Sequence, residues 1–143
     1  MVLSKNDVAL IGASLYLCEG TRLRIDNRGY KQFAVEFTNR DPRTILLFLN
    51  FLRNFVNIEE ERLKAQLFIY PDHNEIELLR FWSKLTGIPL SRFNKIMKLK
   101  QKNLRFKPNP LGTLKLRYHH KEHFLKITHL IEQIFGLEES FAL

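Results

Sequence analysis

The chain has 143 residues, enough for one packed domain, and its 45% hydrophobic content with twelve phenylalanines excludes a disordered polar segment. A single cysteine, Cys18, excludes an internal disulfide framework and a multi-cysteine zinc site, and fits a reducing, cytoplasmic setting. A formal charge of +8 and a pI near 9.8 favour an anionic partner, and the apolar stretch near the N-terminus is too short and too flanked by charge to span a membrane.

Ser4 or Asn6 caps a predicted helix over about Lys5 to Cys18, with Gly20 as its terminator. Alternation predicts strands in "TRLRI" (21–25) and "YKQFAVEFTN" (30–39), joined by the turn residues "DNRG". Phe33, Val35 and Phe37 mark a core face of the second strand, with Gln32, Ala34, Glu36 and Thr38 on the open one. Asp41 and Pro42 are N-cap and first-turn signals for a helix carrying Ile45, Leu46, Leu49, Leu52, Phe55 and Val56.

A strand is expected over 62–71, then a helix from Asn74 to Gly87 and a short helix from Pro89 or Ser91 through Met97. A hairpin with "PNPLG" at its tip and a final helix over 121–136, ended by Gly136, complete the chain. This order makes a single α+β domain, an antiparallel sheet with helices on one face and the other face free for a ligand.

The charge is unevenly placed. Asp and Glu are absent from Leu78 to Lys121, a stretch holding Arg80, Lys84, Arg92, Lys95, Lys98, Arg105, Lys107, Lys115 and Arg117 among its cations. Such asymmetry suits a phosphate backbone. The other reading of a basic run is a solvated surface with no partner. Arg22 and Arg24 share one side of the first strand, with Lys31 beside the turn; Arg105 and Lys107, and Lys115 and Arg117, share sides in the late hairpin.

"GASLYLCEG" at 12–20 resembles the LAGLIDADG helix of homing endonucleases. With Gly12 at the first position, Ala13, Leu15, Glu19 and Gly20 match the pattern, Ser14 and Cys18 keep small residues, and Tyr16 and Leu17 are hydrophobic substitutions. The strand, turn, strand and helix that follow are what the family places next. The helix pair and late hairpin of the second half depart from its compact members.

The resemblance implies a homodimer, since one motif helix is present, with Ala13, Ser14, Leu17 and Cys18 at the seam. Small residues allow close helix approach, and a two-fold axis there brings two copies of Glu19 together. Their repulsion is relieved by a cation such as Mg²⁺, held by Glu19 and the Gly20 carbonyl, that assists phosphodiester hydrolysis. In the family the open sheet face forms a saddle on double-stranded DNA, which assigns phosphate and base contacts to Arg22, Arg24, Lys31, Arg105, Lys107, Lys115 and Arg117. "MKLKQKN" is similar to a lysine-rich connection near the family's active site and makes Lys98 a second catalytic candidate.

Other readings remain open in the sequence. A non-cleaving regulatory DNA binder would keep the same scaffold, and an RNA-binding protein would use Tyr30, Phe33 and Tyr118 to stack on bases. "LLRFWSKLTGIPLSRFNKIM" reads either as a structural helix pair or as a helix-turn-helix presenting Arg92, Asn94 and Lys95. His119 and His123 stand four apart, but no third ligand follows at a dependable spacing.

Overall fold

A computed structural model describes residues 1–100 and 109–141. The first helix, α1 (Lys5–Glu19), starts on a reciprocal cap: Asp7 N donates to Ser4 Oγ at 3.1 Å, and Ser4 N donates to Asp7 Oδ2 at 2.8 Å. Its other end stops at Gly20, whose backbone is extended, with φ −78°. Glycine is needed there for space, because a Cβ would overlap the Tyr16 ring.

The predicted first hairpin forms only at its tip, with β1 (Arg24–Ile25) paired to β2 (Lys31–Gln32). Asp26 closes the turn by accepting from Arg28 N and Tyr30 N at 2.9 and 3.0 Å, and Gly29 takes φ +85°. The expected strand over 30–39 breaks at Phe33. Its second part, β3 (Ala34–Asn39), leaves the hairpin for a four-stranded sheet with β4 (Leu63–Ile69), β5 (Met97–Lys98) and β6 (Thr113–His119).

The sheet order is β3-β6-β4-β5. β6 lies antiparallel to both neighbours, whereas β5 runs parallel to β4, so the sheet is mixed where an antiparallel one was expected. The short helix expected to end at Met97 is a single 3-10 turn, Leu90–Arg92. Beyond it the chain follows the free edge of β4 and satisfies that edge's backbone groups: Asn94 N donates to Ala65 O at 2.8 Å, and Leu99 N to Ile69 O at 2.7 Å. The helix-turn-helix reading falls with that helix. The first strand of the late hairpin lies outside the described residues, as do Arg105 and Lys107.

Helix α2 (Pro42–Phe51) begins at Asp41, whose Oδ1 accepts from Arg43 N, and continues as a π turn to Val56. Helix α3 (Glu75–Thr86) runs from an Asn74 cap to a left-handed Gly87. Helix α4 (Lys121–Phe141) passes through Gly136 where termination was expected; a lone glycine inside a helix costs about 1 kcal/mol, which flanking turns can absorb.

One core joins all four helices to one sheet face. Val35, Phe37, Leu63, Ala65, Leu67, Leu114, Leu116 and Tyr118 point into it from the strands. Tyr16, Phe48, Phe51, Trp82, Phe124 and Ile127 meet them from the helices. None of the described helices is long and apolar enough to cross a membrane.

Candidate nucleic-acid interface

Strand alternation that buries one set of side chains turns the other set outward. On the outer face the register puts Glu36, Arg117 and Lys64 in one row across β3, β6 and β4, with Thr38, Lys115 and Gln66 in the next. His119 stands opposite Ala34 in the row beyond. A concavity of about 220 Å³ on the β3 side is lined by Arg22, Arg24, Gln32, Glu36, Arg117 and His119. A wider one of about 570 Å³ on the β4 side is lined by Glu61, Arg62, Lys64, Asn94, Arg117 and His119. Arg117 and His119 form the ridge between them.

Glu36 is the unexpected member of this face. Its alternation places it outward, as the sequence reading had it, yet the residue is 5% exposed. Its Oε2 lies 3.1 Å from Lys115 Nζ and 3.5 Å from Arg117 Nη2, ion-pair distances without hydrogen-bond alignment, and Arg117 Nε is buried with no acceptor. Burial pushes the Glu36 carboxyl up, but Lys115, Arg117 and Arg24 together outweigh it and hold the group below its ordinary value. The carboxylate is therefore charged at neutral pH. His119 is held below the ordinary histidine value by burial first and by the Arg117 charge second.

The predicted contact residues divide by this geometry. Arg22, Arg24, Lys115 and Arg117 come together on the outer face, the last two bound to a shared carboxylate. Lys31 pairs with Ile25, while Arg24 pairs with Gln32, so Lys31 projects from the opposite side of the small hairpin. Lys64 and Arg62 were missed. The alternation of Leu63, Lys64 and Ala65 signals the outward direction of Lys64, but only the β4–β6 register sets it beside Arg117.

At the end of α1, Glu19 is exposed, and its Oε2 accepts from Asn39 Nδ2 at 2.5 Å. Asn39 Oδ1 in turn accepts from Asp41 N at 2.8 Å, tying the carboxylate to the start of α2. A neutral amide donor thus offsets the unfavourable helix-end position of this acid. Lys98 is not beside it. It sits on β5, at the sheet edge opposite β3, and pairs with Glu75 at 3.5 Å. Three strand spacings separate the two edges, about 14 Å.

The seam residues also separate. Gly12 and Ala13 are buried inside the chain, Ala13 completely, so Ala13 is withdrawn from any interface. Leu17 is half-buried, and Leu10, Ser14 and Cys18 form an exposed stripe at four-residue spacing. Of the proposed stacking residues, Tyr118 is in the core and Phe33 packs edge-on against Phe124, leaving Tyr30 exposed.

The fold and this face define an α+β protein with a cationic, open sheet surface. Comparison with protein-family models finds no match, and none is found among curated proteins or solved structures.

Proposed function

We propose that the protein binds double-stranded DNA across the outer face of its sheet, as a homodimer on a scaffold like that of the LAGLIDADG proteins its α1 resembles. The observation that carries this reading is the convergence of Arg22, Arg24, Lys64, Lys115 and Arg117 on a face opposite the core, with one acid, Glu36, sunk among them. Cations spread over strands at regular spacing suit a phosphate backbone, and base edges are read by side chains between the phosphate contacts. The burial of Tyr118 and the packing of a half-buried Phe33 against Phe124 leave Tyr30 as the one exposed stacking platform of the three and favour duplex over single-stranded RNA. The exposed stripe of Leu10, Ser14 and Cys18, two of them small, is the surface this reading assigns to a second copy.

The test is a fluorescence-anisotropy titration with mixed-sequence duplex DNA over a salt series, with structured RNA as competitor. Duplex binding with a steep salt slope, reduced by Arg24→Glu or Lys64→Glu, supports the reading. Absence of duplex binding at low salt, or displacement by RNA at lower concentration than by DNA, ends it. Sedimentation of Ser14→Arg tests the seam: the wild type should sediment as a dimer and the variant as a monomer.

Cleavage is a second reading, favoured by the solvent-facing position in which Asn39 holds Glu19. Mg²⁺ takes a near-octahedral oxygen shell. Among the described residues no group of three or more His, Cys, Asp or Glu side chains is placed to hold a metal ion, so Glu19 is the one carboxylate this reading assigns to it in each chain. Glu19 would need its counterpart from a second copy. Sequenced DNA ends produced by the wild type with Mg²⁺, and lost in Glu19→Gln, would establish cleavage.

A further inference from the structure

An acid at the centre of a surface that binds a polyanion opposes binding. Burying it costs more again unless it is paired. Glu36 meets both conditions: it lies in the middle row of the outer face, and its side chain is 6% exposed between Lys115 and Arg117. Its effect on those two cations differs. Lys115 is tied twice, to Glu36 at 3.1 Å and over the Phe68 ring at 5.8 Å, and keeps 23% of its side chain exposed. Arg117 keeps 35% exposed and lines the concavities on both sides.

Arg117 is also placed for reading. It stands on β6, an interior strand flanked by β3 and β4, with Glu36 on one side of its guanidinium and Lys64 on the other. Its Nε is buried and its Nη2 lies 3.5 Å from the Glu36 carboxylate, so the base of the guanidinium is enclosed and its β3 side is held by charge. A planar guanidinium with restricted freedom loses little entropy on docking, and its fork matches the O6 and N7 acceptors of guanine in a major groove. Arg22 and Arg24, on the β3 side, and Lys64, on β4, are placed for phosphates, which position a duplex without specifying its sequence.

We propose that Glu36 is a positioning residue that presets Arg117 to read a guanine in the bound duplex, so that the buried acid exchanges general affinity for sequence preference. The inference rests on the duplex-binding reading above and deepens it. Glu36 touches no base itself. It acts through the orientation of Arg117, with Lys115 as the counter-charge that keeps it ionised.

The experiment is selection from a randomised duplex library with wild-type protein, Glu36→Gln, Arg117→Lys and Lys64→Ala, each checked for a cooperative thermal transition. The wild type should enrich a motif containing a fixed G·C pair. Arg117→Lys should lose the preference at that pair by about five- to a hundred-fold, the discrimination of one bidentate contact, while still binding duplex. Glu36→Gln should lose the same preference and bind unselected duplex as tightly as the wild type or tighter, because a negative charge has gone. Lys64→Ala should weaken all sequences alike and leave the motif intact.

The inference is overturned if Glu36→Gln binds every sequence more tightly with the motif unchanged, which makes Glu36 only a neutralising acid. It is overturned equally if wild type binds duplex without base preference. Should Glu36→Gln fail to fold, Glu36→Asp takes its place: it keeps the acid but draws it back from Arg117, so the preference should fall, and an unchanged motif overturns the inference. A wild-type protein that retains no duplex overturns the duplex-binding reading itself.

Discussion

Gly12→Ala separates a helix packed inside its own chain from one built for a partner. An alanine Cβ at this position would overlap Cγ and Cδ1 of Phe51 and stand 2.5 Å from its Cβ, where ordinary contact begins at 3.4 Å. Even the most distant of the three contacts is therefore short by almost 1 Å. Phe51 has no room to yield: it is 0% exposed, stacked on Phe55 at 5.7 Å and tilted against Phe48 at 5.7 Å. Overpacking of this kind costs about 1–3 kcal/mol, and an overlap this large belongs at or beyond the upper end. The gain in helix propensity offsets about 1 kcal/mol.

The net expectation for Gly12→Ala is a loss of about 2 kcal/mol, or roughly 4–10 °C in Tm for a domain of this size. Urea titration should show a lower midpoint with an unchanged slope, and the loss relative to wild type should not depend on protein concentration. Replacing Phe51 by leucine in the same background should recover part of it. A variant as stable as the wild type would refute the close α1–α2 crossing. A loss seen only at concentrations where dimers dissociate would return Gly12 to an intersubunit seam.

Acidification should destabilise the fold through His123. Its Nδ1 lies 2.7 Å from the Tyr118 hydroxyl, which accepts from Glu59 N at 2.9 Å, and its ring stacks on His120 at 3.8 Å. Burial first, then the His120 and Lys126 charges, lower its affinity for a proton. The unfolded chain then binds more protons than the folded one below the ordinary histidine value, about pH 6.5, and stability falls as pH drops through it. Urea midpoints at pH 7.5 and 5.5 should show this fall, and His123→Gln should flatten it; a wild-type midpoint that rises on acidification refutes the assignment. Lys98→Ala should change stability by less than about 1 kcal/mol, because the Lys98–Glu75 pair is a surface one with Lys98 73% exposed. Equal duplex affinity in this variant is also expected, and a large loss would place the far sheet edge in the interface.

Local signals carried the helices and turns because their causes are local. Ser4, Asp41 and Asn74 each satisfy backbone donors within three residues, and Gly87 supplies the left-handed stop its position demands. The edge strand was misread for the opposite reason. Phe93 and Ile96 have helical spacing, but the unpaired edge of β4 offers backbone partners that a window over the sequence does not contain.

The site shows the same division more sharply. Which cations point outward followed from alternation alone, so Arg22, Arg24, Lys115 and Arg117 were legible, and Lys64 could have been. That Glu36 would sink among them depends on the pairing of β3 with β6, in which Glu36 faces Arg117, 81 residues further along the chain. The sequence predicted β3 beside the first strand, an arrangement in which Glu36 is one more solvated charge. Exchanging that neighbour for β6 places two cations against the carboxylate and converts it into the organising charge of the face.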